Sequence, residues 1–479
     1  MADSSPSLKN PLRNDFDGHQ GVHLKKSINL WHGVGIIVGI MIGSGIFISP
    51  KGVAQFSGSV GMSLLVWLGA GLLSAVGAHS YTELGCMLPA SGGDYEYILK
   101  AFGSLFGFLY VWAMLILVIP ASNAIAALTF ANYLLEPLFP CQVPSSAVII
   151  LSTLAVLALM ALNVLSVKAS TRVQTGFSTG KFAALVFIVA LGIFAAAKGH
   201  VSNYKNLFAN TSYQAKDLIQ AFYNGLYCYS GWNYLNFMAE EIEKPTRNLP
   251  RAIWIAMIAV IAIFMAVNLA YFTLLSPVDM QSTNAVAVSF AELIYWPFSY
   301  LISFFVALST FGFLNGVMMT TSRVIFAAAR NKHMPSAMAL IQVKFLTPIV
   351  SLVIITILTI ICITVTDVFF LINITAFTEY LTIFVSIIGL LVLRKTHPEW
   401  KRPIKVNTAF PVIFSVVCLF ILIVSVVTLP YECGLAAIML VIGIVIYVAL
   451  VNQRYDSMER LGSRITEYVQ LATNSVFED

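Results

Sequence analysis

About twelve separate stretches of the chain are long and apolar enough to cross a lipid bilayer, and this restricts its fold more than any other feature. A spanning helix needs about 20 largely apolar residues. The stretches fall at 29–50, 60–86, 102–135, 145–166, 173–197, 217–239, 251–276, 294–330, 346–365, 367–393, 409–429 and 432–452. In lipid, only helices and closed barrels satisfy every backbone hydrogen bond. These runs are too long, and too little alternating, for barrel strands. The fold class expected is therefore all-α and polytopic, with a tail at 1–28, a membrane domain at 29–452 and a second tail at 453–479. Composition agrees: of 479 residues, 58% are hydrophobic and 10% charged, against about 25% charged in soluble domains.

The distribution of cations orients the bundle. Of the 27 Lys and Arg residues, Lys51, Lys198, Lys205 and Lys216 fall in odd-numbered connections and Lys181 inside a helix. The other 22 lie in even-numbered connections and the two tails, which places both termini in the cytoplasm by the positive-inside rule. The N-terminal tail carries no signal-peptide pattern, so the first apolar stretch is expected to stay as a helix. In the C-terminal tail, the spacing of Leu461, Ile465, Val469 and Leu471 permits an amphipathic helix on the inner membrane face. A frayed tail is the alternative. Six scattered cysteines form no CxxC pair or Cys/His cluster, so no metal or cofactor is expected. The reading includes no nucleic-acid partner.

Two stretches carry unusual chemistry. The first contains Gly39, Met41, Gly43, Ser44 and Gly45 within seven positions. Each glycine weakens a helix by about 1 kcal/mol relative to alanine, so this helix is expected to unwind there. The N–H groups opening its second half would suit a carboxylate. Close helix packing through the GxxxG spacings Gly35–Gly39 and Gly39–Gly43 is the simpler reading of this segment alone. The sixth stretch is also interrupted, by Gly225 and Gly231, among Tyr227, Cys228, Tyr229, Ser230 and Trp232. Paired interruptions in matching halves point to a transporter binding site at the membrane midplane. They imply a five-plus-five inverted repeat with broken first and sixth helices, plus two further helices. Released carbonyls near Tyr227, Cys228 and Ser230 would receive an ammonium, while Tyr227 and Trp232 wall or gate the cavity. Ordinary packing of those aromatics is the alternative.

Three charged residues fall inside apolar stretches. Lys181 lies near the inner start of the fifth, where it either snorkels or replaces a bound cation that ties the first helix to the eighth. Glu379 sits far from either end of the tenth, which makes it a functional-site candidate, facing the substrate or held neutral by hydrogen bonds. Glu83 lies near the inner end of the second and reads as a gate or as a packing contact with cytoplasmic loops. Outside, Cys141 has no obvious partner; an interchain disulfide, a bridge to Cys433 and a free thiol all remain open. Asn210-Thr211-Ser212 is a glycosylation sequon.

Several motifs together resemble the light chains of the heteromeric amino acid transporters, within the amino acid–polyamine–organocation superfamily. They are Ile42-Gly-Ser-Gly-Ile-Phe-Ile-Ser-Pro-Lys-Gly52, Ser91-Gly-Gly-Asp-Tyr95, Gly231-Trp-Asn-Tyr-Leu-Asn-Phe237 with Glu240-Glu241, and Arg402-Pro-Ile-Lys-Val406. The resemblance runs from about Leu24 into the C-terminal tail. It implies a non-enzymatic carrier in the plasma membrane, exchanging amino acids by alternating access without sodium. Ser44 and Gly45 would bind the substrate carboxylate, and carbonyls of Met41, Tyr227 and Ser230 its ammonium. Tyr227 would act as a gate, Lys181 would stand where sodium-coupled relatives bind sodium, and Cys141 would join a single-span glycoprotein heavy chain.

The subtype pattern is mixed. Dibasic/cystine members have an acid where this chain has Ser230, and cystine/glutamate members have arginines where it has Ile119 and Glu379. Ser230 resembles the small-neutral type, its hydroxyl narrowing the pocket relative to the glycine of the large-neutral type. Small neutral L-amino acids are therefore the expected substrates. Glu379 departs from every subtype pattern and leaves cationic substrates open, with larger neutral ones as a further alternative and cystine/glutamate exchange disfavoured. Rival readings are a channel, a membrane enzyme and a mainly structural or trafficking subunit of a heavy-chain complex. The sequence shows neither repeated filter loops nor a catalytic Ser/His/Asp or metal set.

Overall fold

A computed structural model describes residues 28–89, 92–139, 143–165, 167–283, 285–343, 347–365, 367–452, 456–473 and 475–477. Its helices are α1 (Leu30–Met41), α2 (Gly45–Ser57), α3 (Val60–Met87), α4 (Asp94–Phe102), α5 (Ser104–Ala113), α6 (Ile119–Leu135), α7 (Ser145–Leu165), α8 (Val167–Ala197) and α9 (Ala215–Cys228). They continue as α10 (Pro245–Leu274), α11 (Pro277–Ser282), α12 (Val286–Glu292), α13 (Pro297–Arg330), α14 (Ile349–Ile363), α15 (Val368–Thr396), α16 (Ala409–Thr428), α17 (Pro430–Ile446) and α18 (Asp456–Thr473). Strands β1 (Leu340–Gln342) and β2 (Ser475–Phe477) form one small antiparallel ladder.

The all-α polytopic expectation holds. Among the described residues, nine helical segments are long and apolar enough to cross a membrane, and α1 with α2 forms one further span bent by 47°. Besides the bent first stretch, two of the twelve expected stretches depart from simple rods. The ninth is α14, an apolar helix of 15 residues. The sixth breaks after α9 and resumes as a 3₁₀ segment, Tyr234–Glu241. Boundaries follow local chemistry. Asn29 caps α1 through His32 N–H, and Ser59 caps α3 through Met62 N–H. Asp367 caps α15 through the N–H groups of Phe369 and Phe370. The third span holds a π-helical turn, Met114–Val118, directly before Pro120. Proline lacks the N–H and crowds the carbonyl four residues back, and the wider turn absorbs that conflict.

Among the contacts of the bundle, α2 packs extensively on α9, α3 on α10 and α6 on α13, and α7 packs less closely on α14. These are spans one and six, two and seven, three and eight, and four and nine. Contacts between segments five apart fit a five-plus-five repeat folded on itself. Outside this bundle, α16 and α17 turn side chains such as Phe420, Val427, Val441 and Val445 outward. In water that would be an aggregation-prone surface, whereas in lipid it is ordinary.

The C-terminal tail is not frayed among its described residues. Helix α18 is amphipathic, and the strand after it pairs with the connection between α13 and α14: Leu340 with Phe477, Ile341 with Val476, Gln342 with Ser475. On the same side of the bundle, Glu83 is fully buried and receives Arg394 through both carboxyl oxygens, with Nε 2.9 Å from Oε1. Arg402 lies 3.7 Å from the same carboxylate, and Val406 N–H donates to it at 2.8 Å. Of the two expectations for Glu83, this is a packing contact with a connecting segment.

Candidate functional site

The first span breaks at Ile42–Ser44, and the break leaves groups at both stumps without helical partners. On the upstream stump, the Gly39 carbonyl would normally receive the N–H of Gly43, which instead turns back to Met41. Lys181 on α8 fills that role, its Nζ donating to Gly39 O at 2.7 Å. The lysine is 1% exposed, so it does not snorkel to the membrane surface. A cation at a helix C-terminus also complements the helix dipole. Gly312 on α13 lies beside the lysine stem, which puts Lys181 between the first and eighth spans. On the downstream stump, the N–H groups of Gly45 and Ile46 open α2 with no carbonyl one turn behind them. The Ser44 hydroxyl beside them is buried with no partner.

The sixth span breaks after Cys228. Tyr229 N–H still reaches Gly225 O, but Ser230 N–H folds back to Tyr227 O, and Gly231 takes φ +100°. A β-carbon at Gly231 would meet Ile40 Cγ2 at 2.6 Å, besides straining the backbone. Only glycine suits that conformation and that approach. The carbonyl end of α9 and the N–H end of α2 therefore meet in the middle of the bundle.

Between them lies a small cavity, open at its mouth. Met41, Ser44, Gly45, Tyr227 and Ser230, all named from the sequence, line it. The Tyr227 hydroxyl is buried near that of Ser44, and neither makes a well-formed hydrogen bond among the described residues. An anion at the N–H end and a cation at the carbonyl end is the polarity of a zwitterion. Glu379 stands beside the wall, where Ser230 Oγ donates to its Oε1 at 2.5 Å.

Sequence reasoning differs from the structure at two points, the place of Trp232 and the residues that line the cavity in its stead. Trp232 does not line the cavity; it is fully buried behind the wall, edge-on to Tyr81 with ring centres 4.9 Å apart. Tyr234 and Phe313 occupy the positions facing the cavity instead, together with Ser122. Tyr234 was legible as an aromatic three residues past the Gly231 break. Phe313 carried no local signal, because only tertiary packing brings α13 over Gly43. Cys141 lies outside the described residues; its alternative partner Cys433 is buried and unbridged.

Below the cavity, the connection after α3 closes against the sixth span. Asp94, at the first turn of α4, is 2% exposed and accepts the Asn233 amide at 2.8 Å. Burial pushes its carboxyl up to about 6, opposed by the hydroxyls of Tyr81, Ser386 and Tyr110 and by Asn233. Ile28, just before α1, bridges to Ile242 at the far end of the same span, and Glu243 N–H donates to Ile28 O at 2.9 Å.

A helical membrane bundle with two broken spans around a buried polar cavity defines a solute carrier of the permease class. Residues 28–453 match the family model described as "Amino acid permease", and the chain belongs to that family. It is 43% identical to the mouse (Mus musculus) "Large neutral amino acids transporter small subunit 2", over 91% of this chain and 83% of that protein. It is also 43% identical to the mouse "Asc-type amino acid transporter 1", over 89% of this chain and 81% of that protein. A "Cystine/glutamate transporter" from Pongo abelii is 38% identical over 99% of this chain and 95% of its own length.

Proposed function

We propose that this protein is a sodium-independent exchanger of small neutral L-amino acids, working by alternating access. One observation carries the reading: the N–H end of α2 and the carbonyl end of α9 face each other across a buried cavity. The α-carboxylate sits at Ser44 and Gly45, and the α-ammonium at the carbonyls of Met41, Tyr227 and Ser230. Tyr227 closes over the substrate. Lys181, already bonded to the first break, supplies the positive charge that sodium would otherwise bring there. A second carboxylate on the substrate is disfavoured, because Glu379 stands beside the cavity and forms no ion pair with a described residue. The names of two relatives specify large neutral and Asc-type amino acid transport, which supports neutral substrates.

The chain works at the plasma membrane with both termini in the cytoplasm. The words "small subunit" in one relative's name support a larger partner. That partner is a single-span glycoprotein heavy chain joined through Cys141. Uptake of labelled alanine, serine and leucine into proteoliposomes, with and without internal amino acid, tests the carrier. Absence of saturable, trans-stimulated uptake of all three defeats it. Cys141→Ser is expected to abolish the covalent heterodimer on non-reducing gels and to leave reconstituted uptake intact.

A further inference from the structure

Glu379 is an acid near the middle of a 29-residue membrane helix, 4% exposed, with no ion pair to any described residue. Buried acids at that depth are costly and function in substrate, ion or proton pathways. Its two oxygens differ. Oε1 accepts the Ser230 hydroxyl at 2.5 Å. Oε2 accepts nothing from the described residues. Ser230 itself lines the cavity, next to the break where the α-ammonium is placed. Thr375, one turn earlier on the same face of α15, is another buried hydroxyl without a partner. Ser230 makes this side of the cavity polar, unlike the apolar side of Ile40 and Phe313.

We propose that Oε2 of Glu379 receives a hydrogen-bond donor at the end of the substrate's side chain. The site then prefers short side chains ending in hydroxyl or ammonium over apolar chains of the same length. This rests on the amino acid carrier reading and narrows its substrate class. Ser230 holds the carboxyl by one oxygen and aims the other. An apolar side chain leaves that oxygen dry and unpaired, which is the penalty that makes polar sites discriminate strongly. A substrate ammonium also supplies a counter-charge that no described residue brings.

The test uses three amino acids of equal length: norvaline, homoserine and 2,4-diaminobutyrate. Their kcat/KM for uptake is measured in proteoliposomes holding the full chain or its Glu379→Leu and Glu379→Gln variants. In the unaltered protein, homoserine or diaminobutyrate exceeds norvaline. Glu379→Leu lowers both ratios at least about tenfold, a difference of about 1.4 kcal/mol, while norvaline uptake persists. Glu379→Gln keeps an acceptor and loses the charge, so it separates the arms: the diaminobutyrate ratio falls and the homoserine ratio is largely kept. Should Glu379→Leu fail to fold, the diaminobutyrate ratio in Glu379→Gln decides alone. Ratios that do not change on substitution overturn the role of Glu379 and leave the carrier reading standing. Absence of uptake for all three, and for alanine, in the unaltered protein sinks the carrier reading itself.

Discussion

A β-carbon placed on Gly45 would stand 2.8 Å from the Cα of Cys228. The two broken spans thus touch backbone to backbone, and neither can move aside by a change of rotamer. Gly45→Ala is expected to separate them and misplace the N–H groups that open α2. Uptake should fall at least about tenfold, with little change in the amount of folded protein, since a 1 Å misplacement at a binding centre costs on the order of a hundredfold. Gly231→Ala adds backbone strain of roughly 1–3 kcal/mol at φ +100°. It should lower both uptake and the thermal midpoint in detergent. Normal uptake by Gly45→Ala would show that the contact between the breaks does not shape the site.

Lys181 gives a second expectation. Replacing it with methionine keeps much of the stem and removes the donor to Gly39 O. A buried carbonyl left without its partner costs about 1–3 kcal/mol. Lys181→Met should lower the thermal midpoint and reduce uptake about tenfold or more. In the unaltered protein, replacing external sodium with choline should leave uptake unchanged. Loss of uptake in choline would remove the lysine from the role assigned to it.

Much of this was legible in the sequence, for different reasons at different places. The spans were readable because lipid demands long apolar runs. The two breaks were readable because glycine is the residue that tolerates them, and Gly43, Gly45 and Gly231 cluster at the sites of unwinding. Ser44, Tyr227 and Ser230 followed because the site is built from backbone at those breaks, and Met41 followed from the family resemblance. What escaped depends on side chains meeting across the bundle. Phe313 sits over Gly43 from a helix some 270 positions away in sequence, and no local pattern announces it. Trp232 was misplaced because an aromatic beside a broken helix faces the cavity or the core with equal ease, and only packing against Tyr81 decides. Lys181 was ambiguous until the partnerless Gly39 carbonyl was seen.

Asp94 predicts a pH dependence with a definite sign. In the unfolded chain its carboxyl titrates near the ordinary 3.8, whereas burial raises it to about 6 in the folded protein. The folded form therefore binds this proton more tightly. The stabilisation from protonation is fully present below about pH 4 and is lost as pH rises through about 6. Asp94→Asn fixes a neutral side chain that still hydrogen-bonds. The variant should melt above the unaltered protein at pH 7.5, with the gap closing as pH falls from 6.5 to 4.5. Parallel melting curves across that range would mean that Asp94 does not bear the burial cost read from its surroundings.

The cluster around Glu83 predicts a non-additive mutant pair. Arg394 Nε donates to Glu83 Oε1, its second guanidinium nitrogen reaches Oε2, and its remaining donors hold Thr408 Oγ1 and Val406 O. One side chain thus fastens the end of α15 to α3 and to the connection leading into α16. Removing one member of a buried ion pair typically costs roughly 3–5 kcal/mol, because a buried charge is left behind; removing both members is often close to neutral. Arg402, 3.7 Å from the same carboxylate, offsets part of the loss, which places Arg394→Met toward the lower end of that range. Arg394→Lys should not rescue it, since an ammonium cannot reproduce the paired contact. Combining Arg394→Met with Glu83→Leu should recover much of the lost thermal midpoint, measured on protein solubilised in detergent. Simple addition of the two single effects would mean that Arg394 acts through Thr408 and Val406, with the pairing to Glu83 contributing little.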